Sequence, residues 1–102
     1  MRALRQAGGQ EKMSIGIEIS SIFARYAENQ TNFKVEGKTI GDCLRALARK
    51  YPELGKMVLE KNGELSPSFD IFLNGASAYP GTMSRPVSSG DKINIVMIVH
   101  GG

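Results

Sequence analysis

The sequence has no tryptophan, one cysteine and one histidine among its 102 residues. A single thiol, Cys43, closes no internal disulfide and fits a protein kept in a reducing, cytoplasmic compartment. One thiol and one imidazole also fall short of the ligand set of a zinc site, so no side-chain metal centre is expected. No run approaches the eighteen or so apolar residues of a membrane span, and no apolar signal segment opens the chain. Neither a membrane nor export is therefore indicated. A glycine-rich phosphate loop, paired carboxylates and a hydrolase elbow are all missing, so the chain is not expected to be an enzyme in its own right.

The net charge of +3 would suit nucleic acid only if it were gathered on the fold. Residues 1–12 hold Arg2, Arg5 and Lys12 against Glu11, and the remaining residues are nearly balanced. No nucleic-acid partner is expected from such a distribution. Residues 1–12 are polar and show no apolar period. They read as a disordered leader, or as an upstream start preceding Met13, outside a single domain at 13–102.

Ser14-Ile15-Gly16-Ile17-Glu18-Ile19-Ser20 alternates strictly, which predicts a half-buried strand with three isoleucines inward. The segment from Ile22 to Tyr26 either prolongs it or turns the chain. Phe33-Lys34-Val35-Glu36-Gly37 alternates again, predicting a β-hairpin. The period then changes: Ile40, Cys43, Leu44, Leu47, Ala48 and Tyr51 form one helical stripe within Thr39 to Tyr51. Thr39 and Asp42 resemble a capping box, and Pro52 is expected to stop the helix. Cys43 lies on the stripe and reads as a small core hydrophobe; Arg45, Arg49 and Lys50 read as a solvated face.

Beyond the helix, Leu54 to Leu59 has room for one further turn before Asn62-Gly63. Phe69 to Leu73 is expected as a strand ending at Asn74-Gly75. Residues 76–90 are turn-rich, with a weak strand signal at Arg85 to Val87, and Asp91 to Val99 is the strongest strand. This order predicts an α+β roll, a mixed sheet of four to five strands packed on one main helix. The last strand is expected to lie beside the first.

Three segments, taken in order, carry a resemblance. They are Gly63-Glu64-Leu65 with Phe69 to Gly75, then Ser89-Gly90-Asp91-Lys92-Ile93-Asn94-Ile95, then the terminal Gly101-Gly102. Together they resemble the ubiquitin-like sulfur carriers of molybdopterin and thiamin biosynthesis, over about Met13 to Gly102. The long Pro52 to Ser68 connection is similar to the molybdopterin and cysteine-biosynthesis branches. Ile98, Val99 and His100 depart from the proline, alanine or valine common before the glycine pair.

The resemblance implies a ubiquitin-like β-grasp fold and a cytoplasmic carrier. It implies that the Gly102 carboxylate is adenylated by a partner adenylating enzyme that uses ATP, with no cofactor bound to the carrier itself. A sulfur-donor enzyme then converts it to a thiocarboxylate, which a cognate synthase subunit spends in molybdopterin-type cofactor, cysteine or thiamin biosynthesis. Gly101 and Gly102 present no Cβ, which lets the end enter a narrow active site. Two alternatives stand beside this one: a ubiquitin-like modifier joined through Gly102 to target lysines, and a β-grasp binding module that is never activated.

Alternation also assigns faces. In the last strand Ile93, Ile95, Met97 and Val99 share one side and are expected in the core, leaving Lys92, Asn94, Val96, Ile98 and His100 on the other. Phe72 is expected to point outward from its own strand. Phe72, Val96 and Ile98, with His100 next to the tail, are thus the candidate partner-binding residues. His100 has no placed partner and reads equally as a solvated tail residue.

Overall fold

The computed structural model describes residues 14–98. The expectations for the leader, Val99, His100, Gly101 and Gly102 lie outside the described residues.

The strict alternation at the start becomes β1, Ser14–Ile19, with Ile15, Ile17 and Ile19 buried. Asn32–Glu36 forms β2, antiparallel to β1 with Ile17 opposite Phe33. Phe69–Leu73 is β3, Ala76–Ser77 is β4, and Lys92–Met97 is β5. The last strand inserts between β1 and β3, parallel to the former and antiparallel to the latter, giving the sheet order β2-β1-β5-β3-β4. A central place follows from its composition, because Ile93 and Ile95 are buried and need apolar neighbours on both flanks.

Ile40–Lys50 forms α1, whose stripe of Ile40, Cys43, Leu44 and Leu47 is buried in one core with the isoleucines of β1 and β5. Thr39 caps it, its hydroxyl accepting from the Asp42 amide at 3.1 Å. The return arm of the predicted capping box is displaced by one residue: the Asp42 carboxylate accepts from the Lys38 amide at 3.1 Å. A mixed five-stranded sheet under one main helix is the ubiquitin-like β-grasp architecture.

Four local readings are settled or corrected. First, the segment from Ile22 to Tyr26, which the sequence leaves open between prolonging β1 and turning the chain, lies in a 3₁₀ helix, Ser21–Ala27. It is held because Phe23 and Ala27 are buried, with the Phe23 ring 5.7 Å from that of Phe69. Second, Pro52 ends α1 but also opens a second helix, α2, Pro52–Val58, where it stands in the first turn and its missing N–H costs nothing. The two helices meet at Gly55, where a Cβ would lie only 2.5 Å from that of Ala48.

Third, Arg85 to Val87 forms no strand. Pro86 makes a single bridge to Thr39, and its missing N–H keeps a ladder from growing there. The edge strand is β4 instead, folded back on β3 by the Asn74-Gly75 turn. Fourth, Met97 lies in phase with Ile93 and Ile95 but is 42% exposed, since the strand has by then run past the edge of the core.

Candidate functional site at the end of the last strand

The two ends of β5 are built differently. At its start, Ser88 to Asp91 makes a turn closed by the Asp91 amide on the Ser88 carbonyl, with Gly90 at φ 92° in the left-handed region. The Asp91 carboxylate accepts from the Ser88 amide at 2.7 Å and from the Asn74 side-chain amide at 3.0 Å. Asn74 in turn accepts from the Lys92 amide at 2.9 Å through its own side chain. These donors, the Ser88 amide foremost, hold the Asp91 carboxyl below its ordinary value. Asn74 and Gly75 both have positive φ, the requirement of a primed two-residue turn. The Asn-Gly and Gly-Asp motifs, far apart in sequence, are therefore one clip.

At the far end no such clip exists among the described residues. The Ile98 amide donates to the Ser68 carbonyl at 2.8 Å, and the chain leaves the sheet there. Val96, Met97 and Ile98 are 41%, 42% and 39% exposed.

Alternation placed Val96 on the outer face of the sheet, and the structure puts it there, directly across from Asp70. Phe72 shares that face but is half-buried and stands opposite Asn94. Polar groups surround it: Lys92 pairs with Glu18 at 2.8 Å, Asn94 donates to Glu18 at 3.3 Å, and Ser77 donates to Asp70 at 3.2 Å. Lys92 above all holds the Glu18 carboxyl below its usual value. The three apolar candidates thus share a face without forming one unbroken patch.

Sequence reasoning missed two residues beside the strand end. Ile22, 66% exposed on the 3₁₀ helix, lines a depression of about 410 Å³ with Val96 and Met97 on the β1 side. Tyr79, 76% exposed, lines a groove of about 950 Å³ with Ile98 and Arg45 on the β3 side. Neither lies in a periodic segment, so no pattern announced its exposure.

Cys43 is fully buried, and burial, aided by the Asp42 charge, pushes its thiol up to about 11. Such a thiol is almost never a thiolate near neutrality, which suits packing and not nucleophilic attack. Among the described residues, no three of His, Cys, Asp and Glu gather to hold a metal ion. No helix among them is long and apolar enough to cross a membrane.

The family model described as the ThiS family matches residues 21–102. The chain belongs to the ThiS family. A protein of Archaeoglobus fulgidus named "putative sulfur carrier protein" is 31% identical over 77 residues, covering 72% of this chain and 88% of its own. The small archaeal modifier protein SAMP1 of Haloferax volcanii shares 26% identity with a TM-score of 0.73, over 87% of this chain and 99% of that one. A chain of the BexX/CysO complex of Amycolatopsis orientalis superposes with a TM-score of 0.74 over 86% and 99%; at 19% identity this speaks for the fold alone. Sulfur carriers of the ThiS family are small carrier proteins rather than catalysts.

Proposed function

We propose that this ThiS-family chain carries sulfur as a thiocarboxylate on Gly102. The observation that carries the reading is the contrast along β5. The strand is clipped at its start and buried at its middle, and its far end, which carries exposed apolar residues, lies a few residues before the glycine pair in the sequence.

The chemistry needs no side-chain catalyst here. A carboxylate is a poor acylating agent, so a partner adenylating enzyme couples it to AMP from ATP and releases pyrophosphate. A persulfide on the sulfur-donor enzyme attacks the acyl carbon and expels AMP. A thiol then reduces the resulting acyl disulfide and frees the thiocarboxylate, whose soft sulfur a synthase subunit directs to its acceptor. Glycine at 101 and 102 removes the two Cβ atoms that would obstruct the passage of the end through successive active sites. The acceptor belongs to molybdopterin-type cofactor, cysteine or thiamin biosynthesis.

Intact-mass spectrometry after incubation with the adenylating enzyme, ATP and a persulfide donor tests the reading. The chain should gain the mass of one sulfur and lose that of one oxygen, and Gly102→Phe should load roughly 100-fold more slowly, since misplacing a reacting atom by an ångström costs about that much. Equal loading of the Phe variant overturns the proposal. The relationship to SAMP1 favours one further reading, a modifier joined through Gly102 to lysines. That reading requires heavier, reductant-resistant conjugates in cell extracts.

A further inference from the structure

From the geometry of the strand end we infer that Ile22, on the 3₁₀ helix between β1 and β2, is a docking residue for the enzyme that adenylates Gly102. Together with Val96 and Met97 it forms an apolar notch that the rim of that enzyme's active site covers. The inference rests on the carrier reading above and adds to it the surface by which the loading enzyme recognises the chain.

Reach supplies the first argument. Four residues separate Ile98 from the Gly102 carboxyl, and whatever their conformation they span at most about 14 Å. When that carboxyl sits beside a nucleotide, the body of the carrier at Ile98 is drawn against the rim of the same active site. Surface next to Ile98 is then interface by necessity, and the occupant is the enzyme holding the tail.

Exposed apolar surface decides which flank recognises it. On the β1 side, Ile22, Val96 and Met97 are exposed by 66%, 41% and 42% and line one depression with the buried Ile19, Phe23 and Ile95. Glu18, Ser20 and Asn94 complete its wall, and the Asn94 amide already donates to Glu18. Burying such side chains is favourable in proportion to the apolar area removed from water. On the β3 side the groove also holds Leu65, Phe69 and Met83, but of its large apolar residues only Tyr79 and Ile98 are exposed. Arg45, Glu64, Asp70 and several hydroxyls in its wall must keep their hydrogen bonds if covered. On the sheet face around Phe72, Phe72 itself is half-buried and Val96 is the one large apolar strand residue exposed among the described residues.

The local build of Ile22 supports a recognition role. The Ser20 hydroxyl accepts from the Ile22 amide at 3.3 Å, while Phe23 and Ala27 fasten the 3₁₀ helix to the core. The helix therefore stands without help from the Ile22 side chain, which is displayed and not used for folding.

Adenylation kinetics, followed by pyrophosphate release with the adenylating enzyme and ATP, test the inference. Ile22→Ser should raise the KM for the carrier roughly tenfold or more while leaving kcat and the melting temperature near wild type, and Ile22→Leu should restore KM. Val96→Ser should act in the same direction. Tyr79→Ser, on the opposite flank, should leave KM within about twofold, well under the tenfold that 1.4 kcal/mol represents. An unchanged KM for Ile22→Ser, or a larger rise for Tyr79→Ser, overturns the inference. Failure of the wild-type chain to be adenylated at all would instead overturn the carrier reading, so the two outcomes are distinguishable.

Discussion

The first half of β5 and its last two residues have opposite designs. At Asp91 to Ile95 the side chains of Asp91, Lys92 and Asn94 are engaged and the isoleucines are buried, so that half is fixed in place. At Val96 and Met97 the same strand continues with apolar side chains that nothing described covers. Contiguous exposed apolar patches commonly mark interaction sites. The comparison teaches that one strand can be anchored by side-chain hydrogen bonds at one end and, among the described residues, carry no such anchor at the other.

The largest expected effect comes from breaking the anchored half. Ile93 is fully buried, and Ile93→Ala should cost about 2–5 kcal/mol in urea unfolding through lost transfer energy and the cavity left behind. A loss below about 1 kcal/mol would show that the centre of the sheet is looser than described. Next, Asn74→Ala removes the bridge between the two turns and puts alanine at φ 51°, a left-handed conformation that asparagine tolerates better. It should cost about 2 kcal/mol in thermal melting, while loading at a temperature far below the transition stays near wild type. A loading defect larger than the loss of folded protein would mean that the two ends are not separable.

A smaller effect sharpens the contrast from the other side. The double variant Val96→Ser, Ile98→Ser should change stability by no more than about 0.5 kcal/mol, because both side chains are exposed, yet slow loading. The smallest effect is acid sensitivity at the clip. The Asp91 carboxylate is favoured by folding, so its stabilisation is fully present above the ordinary value of 3.8 and is lost as pH falls through the lower folded value. Stability should therefore decline below about pH 4 and the decline should be shallower in Asp91→Asn. The depressed Glu18 carboxyl acts with the same sign below its ordinary 4.5, and that part should shrink in high salt because its pairing with Lys92 is half-exposed.

Much of the scaffold was legible beforehand because it obeys strong periods. The isoleucine alternation of β1 and the stripe of α1 each name a buried face without further information. The misreadings fall where local chemistry admits two answers. Pro52 both halts one helix and starts another, and the choice depends on whether Leu54 and Val58 find a core to enter, which they do. Met97 keeps the inward phase, but phase does not say where the core ends. The clip between Asn74 and Asp91 joins residues 17 positions apart, and only the antiparallel pairing of β3 with β5 brings them together.

Periodicity and turn chemistry, written residue by residue, determined the main strands, the main helix and the buried cysteine, because each depends on neighbours in the chain. The third dimension decided which apolar residues stay outside. Val96 and Met97 are as hydrophobic as Ile93 and Ile95, and Ile22 is the same residue type as the buried Ile15. Val96 faces away from the helix layer, and Ile22 stands on a 3₁₀ helix that turns Phe23 and Ala27 to the core instead. Met97 lies where the strand has run past the edge of the core, and the extent of that core is a property of packing that no local pattern contains.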